Sequence, residues 1–164
     1  MLQLESERLT YREITEQDFE IVAGILRDPE ARRIWEQDFS DEEVWAWIAR
    51  RQEGYRKSGI DYLLALDKAT GQPVGQIGVL REEINGEKVW GVGYILRGNC
   101  RKKGYAGELI KAAIEDARKQ GRKGLVLTCK DKLIHYYAKF GFVNEGVSQS
   151  VHGNVVWYQM RLTF

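Results

Sequence analysis

The sequence predicts an α/β (α+β) protein with a central mixed, mostly antiparallel sheet of about seven strands, flanked by about four to five helices. Two observations predict this class: strand-like and helical segments are mixed along the chain, and an Asn-Gly turn at 85–86 joins two long strand-like runs. The length of 164 residues fits a single domain, 1–164, with one core.

Seven segments have the alternation or the short apolar runs that are typical of strands. The predicted strands are 8–14, 61–67, 73–83, 88–96, 124–129, 142–150 and 155–164. The Asn-Gly turn predicts that 73–83 and 88–96 pair antiparallel. We expect 155–164 to be an edge strand, through which two copies of the chain could pair as a homodimer.

Five segments carry helix signals. Thr15 with Asp18, and Ser40 with Glu43, resemble capping boxes in front of helical stripes, and Pro29 suits a first helical turn. Two further helices are predicted after Gly104 and within 131–141. Glycines mark the expected ends of the last three helices, at Gly59, Gly121 and Gly141.

Composition argues against several classes of protein. The chain is 43% hydrophobic and 30% charged, and it contains no run of 18 apolar residues that would predict a membrane span. Its start lacks the basic and apolar regions of a secretory signal. Cys100 and Cys129 have no metal-ligand spacing, so we expect no metal site and a cytoplasmic location. A formal net charge of +1 and no interleaved aromatic–basic motif argue against a nucleic-acid partner.

The stretch CRKKGYAGEL at 100–109 places three cations in front of Gly104, where a helix begins. Cations are unfavourable at a helix N-terminus unless an anion lies there. The free N–H groups of a first helical turn, beside a glycine that admits close approach, form an anion site. Residues 97–139 hold 12 Lys or Arg against 4 Asp or Glu, whereas the rest of the chain is net acidic and suits a cationic partner.

Two common phosphate loops do not fit this stretch. Gly104 is followed by Tyr105 rather than by Lys and then Ser or Thr, so the stretch is not a Walker loop. The segment GVGYIL at 91–96 begins like a dinucleotide-binding fingerprint but has Leu96 at the third glycine, within a predicted strand.

A family resemblance fits the stretch better. RKKGYA at 101–106 resembles the Q/R-x-x-G-x-G/A loop of the GCN5-related N-acetyltransferases, the GNAT family, and YYAKFGFV at 136–143 resembles the family's LYeklGF signature. The start of the chain resembles the RimJ/RimL-like branch, and the C-terminal motif resembles the arylalkylamine acetyltransferase-like branch. The resemblance implies the GNAT fold, acetyl-CoA (coenzyme A) as cofactor, and acetyl transfer to a primary amine by direct attack in a ternary complex.

The resemblance also implies roles for particular residues. The loop would bind the pyrophosphate of acetyl-CoA, and Cys129 would border the pantetheine arm. Backbone N–H groups on a splayed strand would bind the acetyl oxygen. Tyr137 would protonate or hydrogen-bond the sulfur as the catalytic residue, with Tyr136 as the alternative. The loop residues are Arg101, Lys102, Lys103, Gly104, Tyr105 and Ala106, and the strand residues are Tyr94, Ile95 and Leu96.

The general base stays open. RimJ/RimL relatives often carry a glutamate in an EIGYwL strand, where this sequence has Gly91. A water chain is one alternative. The side chains that could serve as the base are Glu82, Glu83, Glu43, His135 and His152.

The acceptor stays open too, as a small amine or a protein N-terminus. Trp45 and Trp47 are two residues apart and cannot share one helix face, so one of them, with Trp35, could line an acceptor pocket or simply pack in the core. The alternative to an enzyme is a CoA-binding regulatory or degenerate module without turnover.

Overall fold

The computed structural model describes residues 6–35, 38–148 and 155–164, with backbone alone for 33–35. Its helices are α1 (Phe19–Leu26), α2 (Pro29–Trp35), α3 (Asp41–Ser58), α4 (Tyr105–Lys119) and α5 (Ile134–Ala138). Its strands are β1 (Leu9–Glu13), β2 (Leu63–Asp67), β3 (Pro73–Ile84), β4 (Glu87–Leu96), β5 (Gly124–Cys129), β6 (Val143–Val147) and β7 (Tyr158–Thr163). No described helix is both long and apolar enough to cross a bilayer.

The strands form one seven-stranded sheet in the order β1-β2-β3-β4-β5-β7-β6. Neighbouring strands are antiparallel except for β4 and β5, which are parallel. The predicted mixed, mostly antiparallel sheet of seven strands with five helices is therefore confirmed.

The expectation that 155–164 is an edge strand is wrong. β7 lies inside the sheet, between β5 and β6, and it buries Met160 and Leu162 against the core. β6 takes the edge instead, with Val143 and Val147 exposed. A strand that buries its apolar residues gains more from an interior position than one that leaves them in solvent.

Local signals in the sequence are confirmed at the turns and helix ends. Asn85 and Gly86 have φ of 51° and 80°, the left-handed pair that a tight hairpin turn requires between β3 and β4. The N–H of Thr15 donates to Asp18 Oδ2 at 2.8 Å. Ser40 and Glu43 exchange hydrogen bonds of 3.2 Å in front of α3, as a capping box does.

Two hydrophobic clusters pack on opposite sides of the sheet, rather than the one core expected. The α4 face, covered by α4 and α5, includes Tyr137 and packs against Tyr94. The α3 face, covered by α1, α2 and α3, includes Trp47, Tyr62 and Ile95. Because side chains alternate along a strand, β4 contributes its even-numbered residues to the α4 face and its odd-numbered residues to the α3 face.

Candidate functional site

The loop before α4 ends in a backbone arrangement of the kind that binds anions in other proteins. Gly104 is the N-cap of α4 with φ of +79°, and Tyr105 begins the right-handed helix. A left-handed residue followed by a right-handed one turns successive N–H groups toward the same point. The Glu108 N–H donates to the Gly104 carbonyl at 3.2 Å, so the N–H groups of Tyr105, Ala106 and Gly107 precede the first intrahelical bond.

Arg8 also supports this loop, although nothing in the spacing of the sequence indicated it. Its Nη1 donates to the Lys103 carbonyl at 2.9 Å, and its guanidinium lies 4.2 Å from the centre of the Tyr105 ring. Its Nε donates to Glu108 Oε1 at 2.8 Å. Burial opposes ionisation of Glu108, but hydrogen bonds from Ser6 and Arg8 outweigh it and lower the pKa of this carboxyl. The acidic side chain in the first turn is thereby matched by a cation.

Arg101 is held by acidic side chains at the start of α2. Its Nη2 lies 3.0 Å from Asp28 Oδ1, and its Nη1 lies 3.4 Å from Glu30 Oε2. Asp28 Oδ2 also accepts the N–H of Gly98 at 3.0 Å. Arg101 therefore fastens the loop to α2, whereas Lys102 and Lys103 are exposed beside Gly104.

The basic stretch 97–139 does not gather around the loop as a unit. Arg118 and Arg122 lie toward the other end of α4, which is about 22 Å long for its 15 residues. The Arg122 guanidinium pairs with Asp116 at 3.4 Å, and that of Arg118 lies 4.9 Å from the Phe164 ring centre. These cations stabilise the far end of the helix, where the dipole favours them.

β4 and β5 are joined at the level of Gly91 by a single ladder couple. β4 pairs with β3 along its whole length, from Glu87 to Leu96. In contrast, the register that joins β4 to β5 is one couple, Gly91 opposite Val126, and both strands lie wholly within the described residues. Within the described residues, β5 continues beyond Val126 to Cys129 without a further couple to β4, and we call this unpaired stretch between the two strands the gap.

Backbone alternation separates the three strand residues predicted to donate N–H groups. The Arg97 N–H donates to the Val74 carbonyl of β3 at 2.9 Å. Since neighbouring residues of an antiparallel strand direct their backbone groups to opposite sides, Ile95 faces β3, whereas Tyr94 and Leu96 face the gap.

Tyr94 and Tyr137 form a hydroxyl pair on the α4 face, with Tyr137 buried and Tyr94 partly buried. Their oxygens lie 2.7 Å apart, and Tyr137 is 5% exposed. Burial, with the Tyr94 hydroxyl as neighbour, raises the pKa of Tyr137 above its ordinary value of 10.0. Burial also raises the pKa of Tyr94. Both phenols are therefore neutral near pH 7, and the pair can donate a proton outward.

Tyr136 and Cys129 lie close to this pair in different roles. The Tyr136 ring meets that of Tyr137 edge-on at 5.2 Å, and its hydroxyl lies 3.3 Å from where a Cβ on Gly107 would stand. It is Tyr137 whose hydroxyl contacts Tyr94. Cys129 is buried at the end of β5, and burial raises the pKa of its thiol.

The candidate bases occupy different environments. Glu43 accepts the Ser40 N–H in the cap of α3, and His135 is exposed on α5. Glu82 and Glu83 are both exposed near the end of β3, but the Glu82 carboxylate lies against β4, with its Cδ 2.5 Å from where a Cβ on Gly91 would stand. His152 lies outside the described residues, and so does the Trp35 side chain.

The two described tryptophans of α3 separate as predicted. Trp47 is buried and its Nε1 donates to Gln76 Oε1 at 2.9 Å, whereas Trp45 is 47% exposed and lies on the Phe19 ring. Trp47 therefore packs in the core of the α3 face. In the part of the chain that the structure describes, no group of three His, Cys, Asp or Glu side chains could hold a metal ion.

Known proteins resemble this chain in sequence and in fold. The chain is 28% identical over 116 residues to the uncharacterized protein YkkB of Bacillus subtilis (strain 168), a match that covers 68% of this chain and 66% of the relative. Its fold resembles the ribosomal-protein-S5-alanine acetyltransferase of Vibrio fischeri (18% identity, 99% and 97% coverage, TM-score 0.77). It also resembles a chimera of the spermidine N-acetyltransferase SpeG from Vibrio cholerae and hSSAT (15% identity, 96% of each chain, TM-score 0.75).

Identities this low support the fold alone, so the family rests on a different comparison. Residues 8–133 match the family model described as the acetyltransferase (GNAT) domain, which includes β1, the gap between β4 and β5, and the loop before α4. The chain belongs to the GNAT acetyltransferase family.

Proposed function

We propose that residues 1–164 form one GNAT domain, an acetyl-CoA-dependent N-acetyltransferase that transfers an acetyl group to a primary amine by direct attack in a ternary complex. The observation that carries this proposal is the neutral Tyr94–Tyr137 hydroxyl pair, with its 2.7 Å contact, on the strand that borders the gap. A leaving thiolate needs a proton donor, and a buried phenol supplies one.

The loop before α4 has the features that a pyrophosphate requires. The N–H groups of Tyr105, Ala106 and Gly107 would hold the phosphate oxygens, and the dipole of α4 favours the negative charge. Lys102 and Lys103 are exposed at the same place and would add positive charge. When bound, acetyl-CoA supplies the activated acetyl group; the residues of this chain hold and orient it.

Two sets of groups would then act on the thioester. The N–H groups of Tyr94 and Leu96, on the gap side of β4, would stabilise negative charge on the acetyl oxygen. The Tyr137 hydroxyl would donate to the sulfur, and the Tyr94 hydroxyl would return a proton to Tyr137. The raised pKa of Cys129 keeps this thiol protonated, which supports direct attack by the amine over an acyl-cysteine route.

The acceptor in this proposal is a small amine or a protein N-terminus. Names of structural neighbours point to both, since one is a ribosomal-protein-alanine enzyme and another a spermidine enzyme. The free thiols of Cys100 and Cys129 support the cytoplasm as its location. If two copies of the chain form a homodimer by strand pairing, they would use the edges β1 or β6.

Thermal unfolding with saturating acetyl-CoA tests the cofactor, with adenosine as the comparison ligand. Ligand at about 100 times its dissociation constant stabilises a protein by about 2.7 kcal/mol, so we expect a clear rise in melting temperature. Gly104→Glu should abolish that rise, because it puts a carboxylate where the phosphates would lie. Gly121→Glu is the matched control, since Gly121 is also left-handed (φ +73°) and lies beyond the other end of α4.

The alternative is a CoA-binding regulatory or degenerate module without turnover, which Gly91 in place of a strand glutamate favours. Release of the CoA thiol separates the two functions. We would measure it with spermidine, tryptamine and a short peptide that begins with alanine. If acetyl-CoA binds but no CoA thiol is released with any of the three amines, the regulatory or degenerate module is favoured. An unchanged melting temperature with acetyl-CoA would contradict both the enzyme and the CoA-binding module.

A further inference from the structure

On the α3 face, β3 and β4 carry three glycines, and at each of them a side chain from a neighbouring segment lies directly on the backbone. A Cβ on Gly78 would stand 2.7 Å from Cγ of the Tyr62 ring, and one on Gly93 would stand 2.5 Å from the Tyr62 hydroxyl oxygen. A Cβ on Gly91 would stand 2.5 to 2.6 Å from Cδ and both oxygens of Glu82. Real Cβ atoms do not approach so closely, so the glycines allow a phenol and a carboxylate to lie directly on the sheet.

The Glu82 carboxylate marks the point where the gap opens. Gly91 is the residue of β4 that pairs with Val126 of β5, and the register has no further couple between these two fully described strands beyond it. Tyr94 lies three residues further, on the opposite face of β4, about 10 Å along the strand. The carboxylate therefore lies at the paired residue Gly91, and the hydroxyl pair lies further along β4 on the opposite face of the sheet.

The Glu82 carboxyl is accessible to solutes and has a raised pKa. Its side chain is exposed, so a solute can contact it, yet desolvation against β4 raises the pKa of its carboxyl above 4.5. The titratable neighbour is Tyr62, the residue before β2, whose pKa burial raises to about 12, so it stays neutral. Behind Tyr62, Arg51 of α3 lies 5.1 Å from the ring centre, and its charge is matched by Asp61 at 2.7 Å.

Resting on the proposed function, we propose that the acceptor amine enters from the α3 face as a primary ammonium and that Glu82, lying over Gly91, receives its proton. Gly91 has no side chain, and the Glu82 side chain occupies the space beside it. The carboxylate therefore lies over β4, although Glu82 belongs to β3.

The proton balance is complete without a further reactant. The ammonium gives one proton through intervening water to Glu82, and the freed nitrogen lone pair forms the C–N bond to the acetyl carbon as the C–S bond breaks. The nitrogen loses its second proton to water, and the sulfur takes one from Tyr137, which water replaces through Tyr94. Glu82 returns its proton to water. The net change is ammonium plus thioester to amide, thiol and one proton.

Glu82→Gln tests the proposal, with thiol release from the three amines as the assay. We expect kcat/KM near pH 7 to fall by about 10²-fold or more, and the acidic limb of the kcat/KM profile to disappear with the carboxylate. The melting-temperature rise with acetyl-CoA should equal that of the wild type. Glu83→Gln is the matched control, because Glu83 is also exposed but points to the other face of β3 and should leave the rate unchanged.

Moving the carboxylate gives a second, constructive test. In Glu82→Ala with Gly91→Glu, the carboxylate is carried by β4 itself, and we expect about tenfold or more recovery over Glu82→Ala alone. A rate for Glu82→Gln within about twofold of wild type, an acidic limb that survives in it, or no recovery in the double variant would each overturn the role of Glu82 while leaving the proposed function intact. Wild-type protein that releases no thiol with any of the amines would overturn both.

Discussion

The two faces of the central sheet place the proposed proton-transfer groups in different surroundings. On the α4 face, Tyr94 and Tyr137 satisfy each other across 2.7 Å, with Tyr137 buried and Tyr94 partly buried. On the α3 face, Glu82 lies on a glycine and is open to solvent. Within the pair, one hydroxyl proton lies between the two oxygens, whereas an exposed carboxylate can meet a solute that arrives and leaves. In the proposed site, the hydroxyl pair acts on the sulfur of the cofactor, and the exposed carboxylate acts on the acceptor amine.

The largest expected effect tests the closed pair. Tyr137→Phe should lower kcat by about 10²-fold or more because the sulfur loses its proton donor, while acetyl-CoA affinity stays near that of the wild type. Steady-state kinetics and a binding titration measure the two quantities. Tyr136→Phe is the control, since its hydroxyl lies near Gly107 instead, and it should retain most of the activity. Equal losses in both variants would contradict the assignment to Tyr137.

A second prediction compares two helical glycines that both lie on the α3 side. A Cβ on Gly54 of α3 would press on the Asp61 side chain, with Cγ at 2.7 Å, and Asp61 is buried in its pair with Arg51. Gly54→Ala should therefore reduce the free energy of unfolding by about 1–3 kcal/mol. Gly24 of α1 has no atom within 4 Å of its Cβ position, so Gly24→Ala should raise it by about 0.5–1 kcal/mol. Urea denaturation measures both, and equal signs would refute the comparison.

The smallest expected effect is a pH dependence at the start of α1. Hydrogen bonds from Arg12 lower the pKa of Asp18 below its ordinary value of 3.8, against the effect of burial. Because the folded pKa is depressed, this stabilisation is complete above about pH 3.8 and is lost as pH falls through the lowered pKa. Asp18→Asn should cost about 1 kcal/mol at pH 7, since Arg12 is partly exposed, and the difference from wild type should shrink in acid. Denaturation at several pH values measures this, and a constant difference would contradict it.

Local features of the fold could be predicted because their causes are local. The hairpin at Asn85-Gly86 and the caps at Thr15 and Ser40 depend on residues within four positions of each other. The same holds for the loop at Gly104, where a glycine, a helix start and neighbouring cations stand together in the sequence.

Features that depend on distant contacts could not be predicted. Arg8 contacts Glu108 across 100 positions, and Arg101 pairs with Asp28 across 73, so no spacing indicates either. The interior place of β7 depends on strand order, which alternation within a strand does not encode. The sequence shows that Gly91 stands where related strands carry a glutamate. The position of Glu82 over Gly91 depends on the register of β3 against β4, which the sequence does not show.

The gap between β4 and β5 has a consequence for how the molecule opens. Strands β1 to β4 form one antiparallel unit, and β5, β7 and β6 form another, and the register between the two units is the couple of Gly91 with Val126. Such units open separately when few bonds join them, so amide hydrogens on the gap side of β4 should exchange faster than those shared with β3. A ligand bound in the gap would contact both units, so its binding should slow amide hydrogen exchange at Tyr94 and Leu96.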